Sequence, residues 1–148
     1  MKWAAEIEHP EVGEFAQRAQ AFVEGFGWCE RVTGCRLGFA IAGILAIFRI
    51  DLVPAGVEAD PTVWVVVGDV PPAYLAFKDG DTWRDALEGY IVEMRRWVEA
   101  VRAGGSLDDV IPVNAPPTSG NADDLAGRLG FLKANLLEQT VELAEGDA

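Results

Sequence analysis

The sequence lacks the side chains that common hydrolytic and metal-dependent sites require. It contains one histidine, His9, and two cysteines, Cys29 and Cys35. Its only serines, Ser106 and Ser119, occupy predicted helix-capping or loop positions. A catalytic triad needs an imidazole beside its nucleophile, and a zinc site needs several His or Cys ligands. We therefore expect neither a triad nor a metal site. Phosphate-binding glycine motifs are missing too, so we also expect no cofactor.

Basic side chains are scarce as well. The 12 Lys and Arg face 24 Asp and Glu, which gives a formal net charge of −12. Nucleic acids and anionic membrane surfaces carry the same sign of charge as this chain. Neither is an expected partner, whereas the acidity suits a basic protein.

Long apolar runs are also missing. The longest apolar stretch, Leu37 to Ile50, is interrupted by Gly38, Gly43 and Arg49 and falls short of the roughly 20 residues that a membrane helix needs. The N-terminus shows no secretory signal pattern, so we expect a cytoplasmic protein. In that reducing compartment, both cysteines are expected to be free thiols without a metal.

Apolar periodicity divides the chain into one helix, a group of strands and two further helices. The first helix opens at His9-Pro10, with the proline in its first turn, and ends at Gly25 to Gly27. The second runs from Thr82 to Gly104, and the third starts at about Asn121. Between the first two, segments rich in Val, Ile, Phe and Trp predict strands. They are Trp28–Val32, Leu37–Ala42, Ile44–Val53, Thr62–Val67 and Ala73–Phe77, with Leu37–Val53 as one bent strand in an alternative reading.

The expected fold is a single α+β domain over residues 1–148. It has an antiparallel four- or five-stranded sheet, covered on one face by helices from both ends of the chain, in the order α, β-meander, α, α. Apolar stripes on one strand and its covering helix predict a buried core. Its predicted members are Trp64, Val66, Leu87, Ile91, Met94 and Trp97.

The segment Gly68–Tyr74 is the most unusual in the chain. Glycine permits a sharp turn, Asp69 can bond nearby amides and two prolines fix an extended path, so a purely structural corner explains it. The same corner can also present Asp69 and Tyr74 to a pocket near Asn114. The candidate ligand-binding residues are Asp69, Tyr74, Arg95 and Asn114. In an enzymatic version, Asp69 acts as a base and Tyr74 or Arg95 as its electrostatic partner.

A resemblance to known sequences runs through Gly68–Leu75, Glu88–Val98 and Ile111–Thr118. In these segments the chain is similar to a set of uncharacterised bacterial hypothetical proteins, and the similarity spans roughly residues 28 to 137. Those proteins have no known activity, so the resemblance implies no catalytic residue.

The residue inventory favours a binding protein over an enzyme. Our first hypothesis is a non-enzymatic, immunity-like or antitoxin-like protein that masks a basic protein partner. Carboxylates of the two terminal helices are the expected contacts: Glu11, Glu14, Glu24, Glu138, Glu142 and Glu145. Two alternatives stay open, namely a small enzyme or ligand-binding domain at the Asp69/Tyr74 corner and a domain with a purely structural role.

Overall fold

The computed structural model describes residues 2–3, 9–56, 60–137 and 144–145. Within these ranges, four long strands form an antiparallel sheet: β2 (Cys29–Ile41), β3 (Leu45–Pro54), β4 (Thr62–Gly68) and β5 (Ala73–Ala76). Two short strands, β1 (Lys2–Trp3) and β6 (Ala144–Glu145), both pair with β2, so the order is β1-β2-β3-β4-β5 with β6 beside β2. The described helices are α1 (Pro10–Glu24), α2 (Trp83–Ala103) and α3 (Ser119–Leu132), and a π-helical turn, Lys133–Leu137, follows α3. The predicted α+β class is confirmed.

The helix boundaries follow from local capping chemistry. Thr82 accepts a hydrogen bond from the Asp85 N–H while the Asp85 carboxylate accepts one from the Thr82 N–H, a capping box that starts α2 as predicted. Gly104, at φ 65°, ends α2 in the left-handed conformation. Thr118 caps α3, which begins two residues before the predicted Asn121. None of the described helices is both long and apolar enough to cross a bilayer.

Helices cover both faces of the sheet, which differs from the single covered face that we predicted. Helix α1 packs on the face that carries Phe48 and Val65, whereas α2 and α3 pack on the face that carries Ile47 and Trp64. The reason lies in β4, where Val63–Val67 is buried at every position. A strand that is apolar on both faces needs a cover on each.

Strand β2 is continuous where the sequence predicted two strands. A shift in its register against β3 between Val32 and Gly34 marks an irregularity where the first of these predicted strands ends. The chain instead reverses at Gly43, at φ 75°, between β2 and β3. The long segment is therefore a hairpin and not one bent strand.

The predicted core is confirmed. All six of its residues are at most 3% exposed, and they belong to one cluster between the sheet, α2 and α3. Apolar and charged residues alternate over Phe48–Leu52, which predicts one buried and one more exposed face. In the structure, Arg49 and Asp51 are half-buried between buried neighbours, as this pattern predicts. The Arg49 guanidinium lies 4.4 Å from the centre of the Phe77 ring.

Candidate functional site

The Gly68–Tyr74 corner joins the sheet to all three long helices. Side chains of α1, α2 and α3 each donate a hydrogen bond to one of its carbonyls: Arg18 to Gly68 (3.0 Å), Tyr90 to Pro71 (2.5 Å) and Arg128 to Asp69. Burial raises the pKa of Tyr90 far above its ordinary value, so its hydroxyl remains a neutral donor. These contacts give the corner a structural role.

Gly68 allows the corner to approach the neighbouring strand closely. Its φ is 145°, and a Cβ placed there would lie 2.3 Å from the Ile44 carbonyl oxygen and 2.5 Å from the Leu45 Cα. The next residue, Asp69, donates its N–H to the same Ile44 carbonyl at 2.8 Å. Only a residue without a side chain fits this position.

The Asp69 carboxylate forms an ion pair. Its Oδ2 lies 2.6 Å from Nη1 of Arg128, and the two side chains are 72% and 47% exposed respectively. An exposed pair of this kind stabilises a fold little. The ion pair nevertheless engages the Asp69 carboxylate, which the enzymatic hypothesis requires as a base.

The four predicted ligand-binding residues do not share one cavity. Asp69 and Asn114 line a cavity of about 370 Å³ together with Arg128. Tyr74 and Asn114 line a different cavity of about 630 Å³. Arg95 is exposed on α2 and lines neither of them. Asn114 therefore shares one cavity with Asp69 and the other with Tyr74, whereas Asp69 and Tyr74 line different cavities.

Tyr74 belongs to a cluster of four aromatic rings, which we call the aromatic cluster. Its members are Phe22, Phe26, Trp28 and Tyr74, with neighbouring ring centres 4.9 to 6.5 Å apart. Tyr74 is 36% exposed, although its ring contacts the other three. Phe22 lies in the last turn of α1, Phe26 and Trp28 lie in the connection between α1 and β2, and Tyr74 lies in β5.

Two cavities flank the aromatic cluster and share Tyr74; together we call them the Tyr74 groove. The first, of about 560 Å³, is lined by Gly27, Trp28, Ala55, Gly56, Asp60, Val63 and Tyr74. The second is the 630 Å³ cavity, lined by Phe22, Phe26, Pro72–Ala76, Glu93 and Ile111–Asn114. The described lining of both is mainly apolar and includes two carboxylates, Asp60 and Glu93, but no Lys, Arg or His. The Glu93 carboxylate forms an ion pair with Arg96 on the same helix, at 3.2 Å.

The groove runs along an open edge of the sheet. Strand β5 pairs with β4 on one side, and no described strand pairs with its other side. In a strand, every second residue directs its N–H and C=O away from a given neighbour. Within the described residues, no hydrogen bond reaches these outward groups of Ala73–Ala76.

The carboxylates predicted as partner contacts have different surroundings. Glu14 and Glu24 are exposed on α1, as the hypothesis requires. Glu11 is half-buried and its carboxylate accepts a hydrogen bond from the Gly43 N–H, so it is less available to a partner than Glu14 and Glu24. This bond connects α1 to the turn between β2 and β3. Glu138 and Glu142 lie outside the described residues, and only the backbone of Glu145, in β6, is described.

Sequence reasoning missed most residues of the groove. Helical spacing extends the apolar stripe of the first helix through Phe22 and Phe26, which predicts their burial, yet both are only partly buried. The sequence does contain one indication, because Phe22, Phe26 and Trp28 lie close together around Gly25 and Gly27, which end the helix. Large apolar side chains beyond the end of a helix do not belong to its buried face. For Arg128, which meets Asp69 across 59 residues of chain, the sequence offers no local signal.

No protein-family model matches the chain, and neither a curated protein nor a solved structure matches it. In the part of the chain that the structure describes, no three His, Cys, Asp or Glu side chains are grouped as metal ligands. The Tyr74 groove and the corner are therefore the features from which a function can be inferred.

The two cysteines are buried in β2 and free. Burial, with a smaller contribution from Asp51, raises the pKa of Cys35 from 9.0 to about 12. Burial and Glu24 also raise the pKa of Cys29. Because the thiolate is the reactive form, both thiols should react slowly at neutral pH.

We expect iodoacetamide at pH 8 to label Cys35 at least about tenfold more slowly in the folded than in the unfolded protein. Because folding favours the neutral thiol, the contribution of Cys35 to the free energy of unfolding is complete below pH 9. This contribution is lost as the pH rises toward about 12. Peptide mass mapping after timed labelling measures the rate at each cysteine, and the intact mass of the unfolded chain should show two reactive thiols. Rapid labelling of the folded chain, or a quantitative disulfide, would contradict this prediction.

Proposed function

We propose that this protein is a non-enzymatic binding protein that masks a basic protein partner, as immunity and antitoxin proteins do. One observation carries the proposal: the Tyr74 groove combines an apolar lining and partly exposed aromatic rings with two carboxylates, and none of its described lining residues is basic. Aromatic side chains supply much of the binding energy in protein interfaces, and a one-signed lining selects the charge of the partner.

The charge of the whole chain supports the same partner. The formal charge of −12 attracts a basic protein over a distance, and Glu14 and Glu24 are exposed on the helix whose end contributes to the groove. We place the encounter in the cytoplasm. There, long-range attraction raises the association rate, while close contacts in the groove determine how long the complex lasts.

The small-enzyme alternative has less support from the geometry. Asp69 is paired with Arg128, Tyr74 lies in a different cavity, and Arg95 lines neither cavity. A general base needs hydrogen-bond reach to its substrate and partner groups, and these three residues do not converge.

Association kinetics against a basic candidate, such as the product of an adjacent reading frame, test the proposal. Raising the salt concentration from about 0.05 to 0.5 M should lower the association rate about tenfold or more and change the dissociation rate less. The double variant Asp60→Asn, Glu93→Gln should associate several-fold more slowly at low salt because the groove loses both charges.

Glu99→Gln is the matched control, since Glu99 is an exposed carboxylate on α2 that lines neither cavity of the groove. Its association rate should stay close to that of the parent protein. If basic proteins fail to bind, or if their association rates ignore both salt and the double substitution, the proposed function is wrong.

A further inference from the structure

We propose that the partner inserts an extended, cationic segment into the Tyr74 groove, where it adds as a strand to the open edge of β5. This inference rests on the proposed function and specifies how the partner is held. An exposed sheet edge binds extended peptides through main-chain hydrogen bonds, and flanking pockets select alternate side chains.

The backbone of β5 supplies the first requirement. The outward N–H and C=O groups of Ala73–Ala76 have no hydrogen-bond partner within the described residues. Such a row of groups is a template for another strand unless a helix, a loop or charged side chains cover it. Here the 630 Å³ cavity lies directly beside the strand and leaves room for a segment.

The walls of the groove supply the second requirement. Successive side chains of an added strand point to opposite faces of the sheet. On the face of α1 they meet Phe22, which packs on that core, and on the face of α2 they meet Ile111 and Val113, which pack on the other. Apolar side chains of the segment therefore find contacts on both faces.

Charge decides the nature of the occupant. Asp60 lines one cavity and Glu93, which forms an ion pair with Arg96 at 3.2 Å, lines the other. Among the described lining residues of both cavities there is no Lys, Arg or His. A second copy of this chain would bring two proteins of formal charge −12 together and would place the same carboxylates near one another. A segment that carries Lys or Arg among apolar residues matches both the lining and the net charge.

The probe for this inference is a displayed library of random dodecapeptides, selected against the full chain. We expect the enriched peptides to be cationic, with apolar residues at alternate positions. Binding should slow hydrogen exchange of the outward β5 amides at least about tenfold, because those amides become hydrogen-bonded. Two N-methylated peptides are compared, one modified at its odd positions and the other at its even positions. One of them should bind at least about tenfold more weakly and the other almost unchanged, since only one edge of the peptide faces β5.

Tyr74→Ala should weaken peptide binding at least about tenfold, because it removes the aromatic contact shared by both cavities. Phe131→Ala is the matched control: Phe131 is 48% exposed on α3 and lines neither cavity. Thermal unfolding of both variants checks that they fold. The N-methylated peptides test the same contact on the unaltered protein if the Tyr74 variant does not fold.

The outcomes separate this inference from the proposed function. If basic proteins bind with salt-dependent rates but Tyr74→Ala and N-methylation have no effect, the function stands and strand addition is wrong. If cationic peptides bind and protect β5 while no basic protein binds, the edge is a peptide site and the proposed function is wrong. Selection of peptides without net positive charge, or of none, overturns strand addition.

Discussion

Replacing Gly68 with alanine is expected to lower the free energy of unfolding by about 4 kcal/mol, because backbone strain and overpacking each cost about 1–3 kcal/mol. The added Cβ would lie 2.3 Å from the Ile44 carbonyl oxygen and 2.5 Å from the Leu45 Cα, and both are backbone atoms that cannot rotate away. The φ of 145° adds strain for any residue with a Cβ. Chemical denaturation monitored by tryptophan fluorescence measures the change.

Gly13→Ala is the matched control for this substitution. Gly13 lies in α1, and a Cβ there would meet nothing within 4 Å. Because alanine favours a helix more than glycine does, the control should be stabilised by up to about 1 kcal/mol. Equal stability of the two variants would show that the close approach of the corner to β3 does not constrain the fold.

Trp97→Ala is expected to destabilise the protein by about 3–5 kcal/mol, the usual cost of removing a buried large aromatic side chain. Trp97 is 2% exposed and packs in the cluster between the sheet, α2 and α3. Thermal and urea unfolding should both show the loss, and the far-ultraviolet spectrum should still show helix and sheet at low denaturant.

The control on the same helix is Val92→Ala, since Val92 is 52% exposed. Its effect on stability should stay within about 0.5 kcal/mol, as for most surface substitutions. A loss of less than about 1 kcal/mol for Trp97→Ala would mean that the surrounding residues collapse into the space left by the indole.

Local patterns predicted the elements of this fold well. The capping residues Thr82 and Asp85 and the glycine at 104 determine where α2 begins and ends, and all of them act within one helical turn. The burial of Trp64 and Trp97 followed from strand and helix periodicity in the same way. Each of these predictions needs only the neighbours of a residue in sequence.

The arrangement of helices on the sheet was harder to predict. Alternation in Phe48–Leu52 suggested a sheet with one solvent face, and it describes that end of β3 correctly. The fully apolar run Val63–Val67 indicated the opposite, a strand covered on both faces, and this second pattern decides where α1 packs. The two patterns belong to different ends of the same sheet.

The candidate site depends on contacts between distant parts of the chain. Tyr74 was singled out because of its corner, but its ring partners Phe22 and Phe26 lie about 50 positions earlier. Arg128 reaches Asp69 across 59 positions and converts a candidate base into half of an ion pair. Such contacts follow from the packing of helices on the sheet. The sequence around each residue does not reveal which distant segment that residue will contact.

The two edges of the sheet differ, and this difference limits the stoichiometry of any assembly. On the β2 side, β1 and β6 occupy the positions opposite Arg36, Leu37, Phe39 and Ala40, and β2 is irregular in register at three places. Irregular or covered edges pair poorly with further strands. Among the described strands, only β5 then offers an edge for the proposed strand addition, so we expect each chain to hold one partner. A fibre needs two competent edges per molecule, so we expect no growth of the sheet beyond one addition.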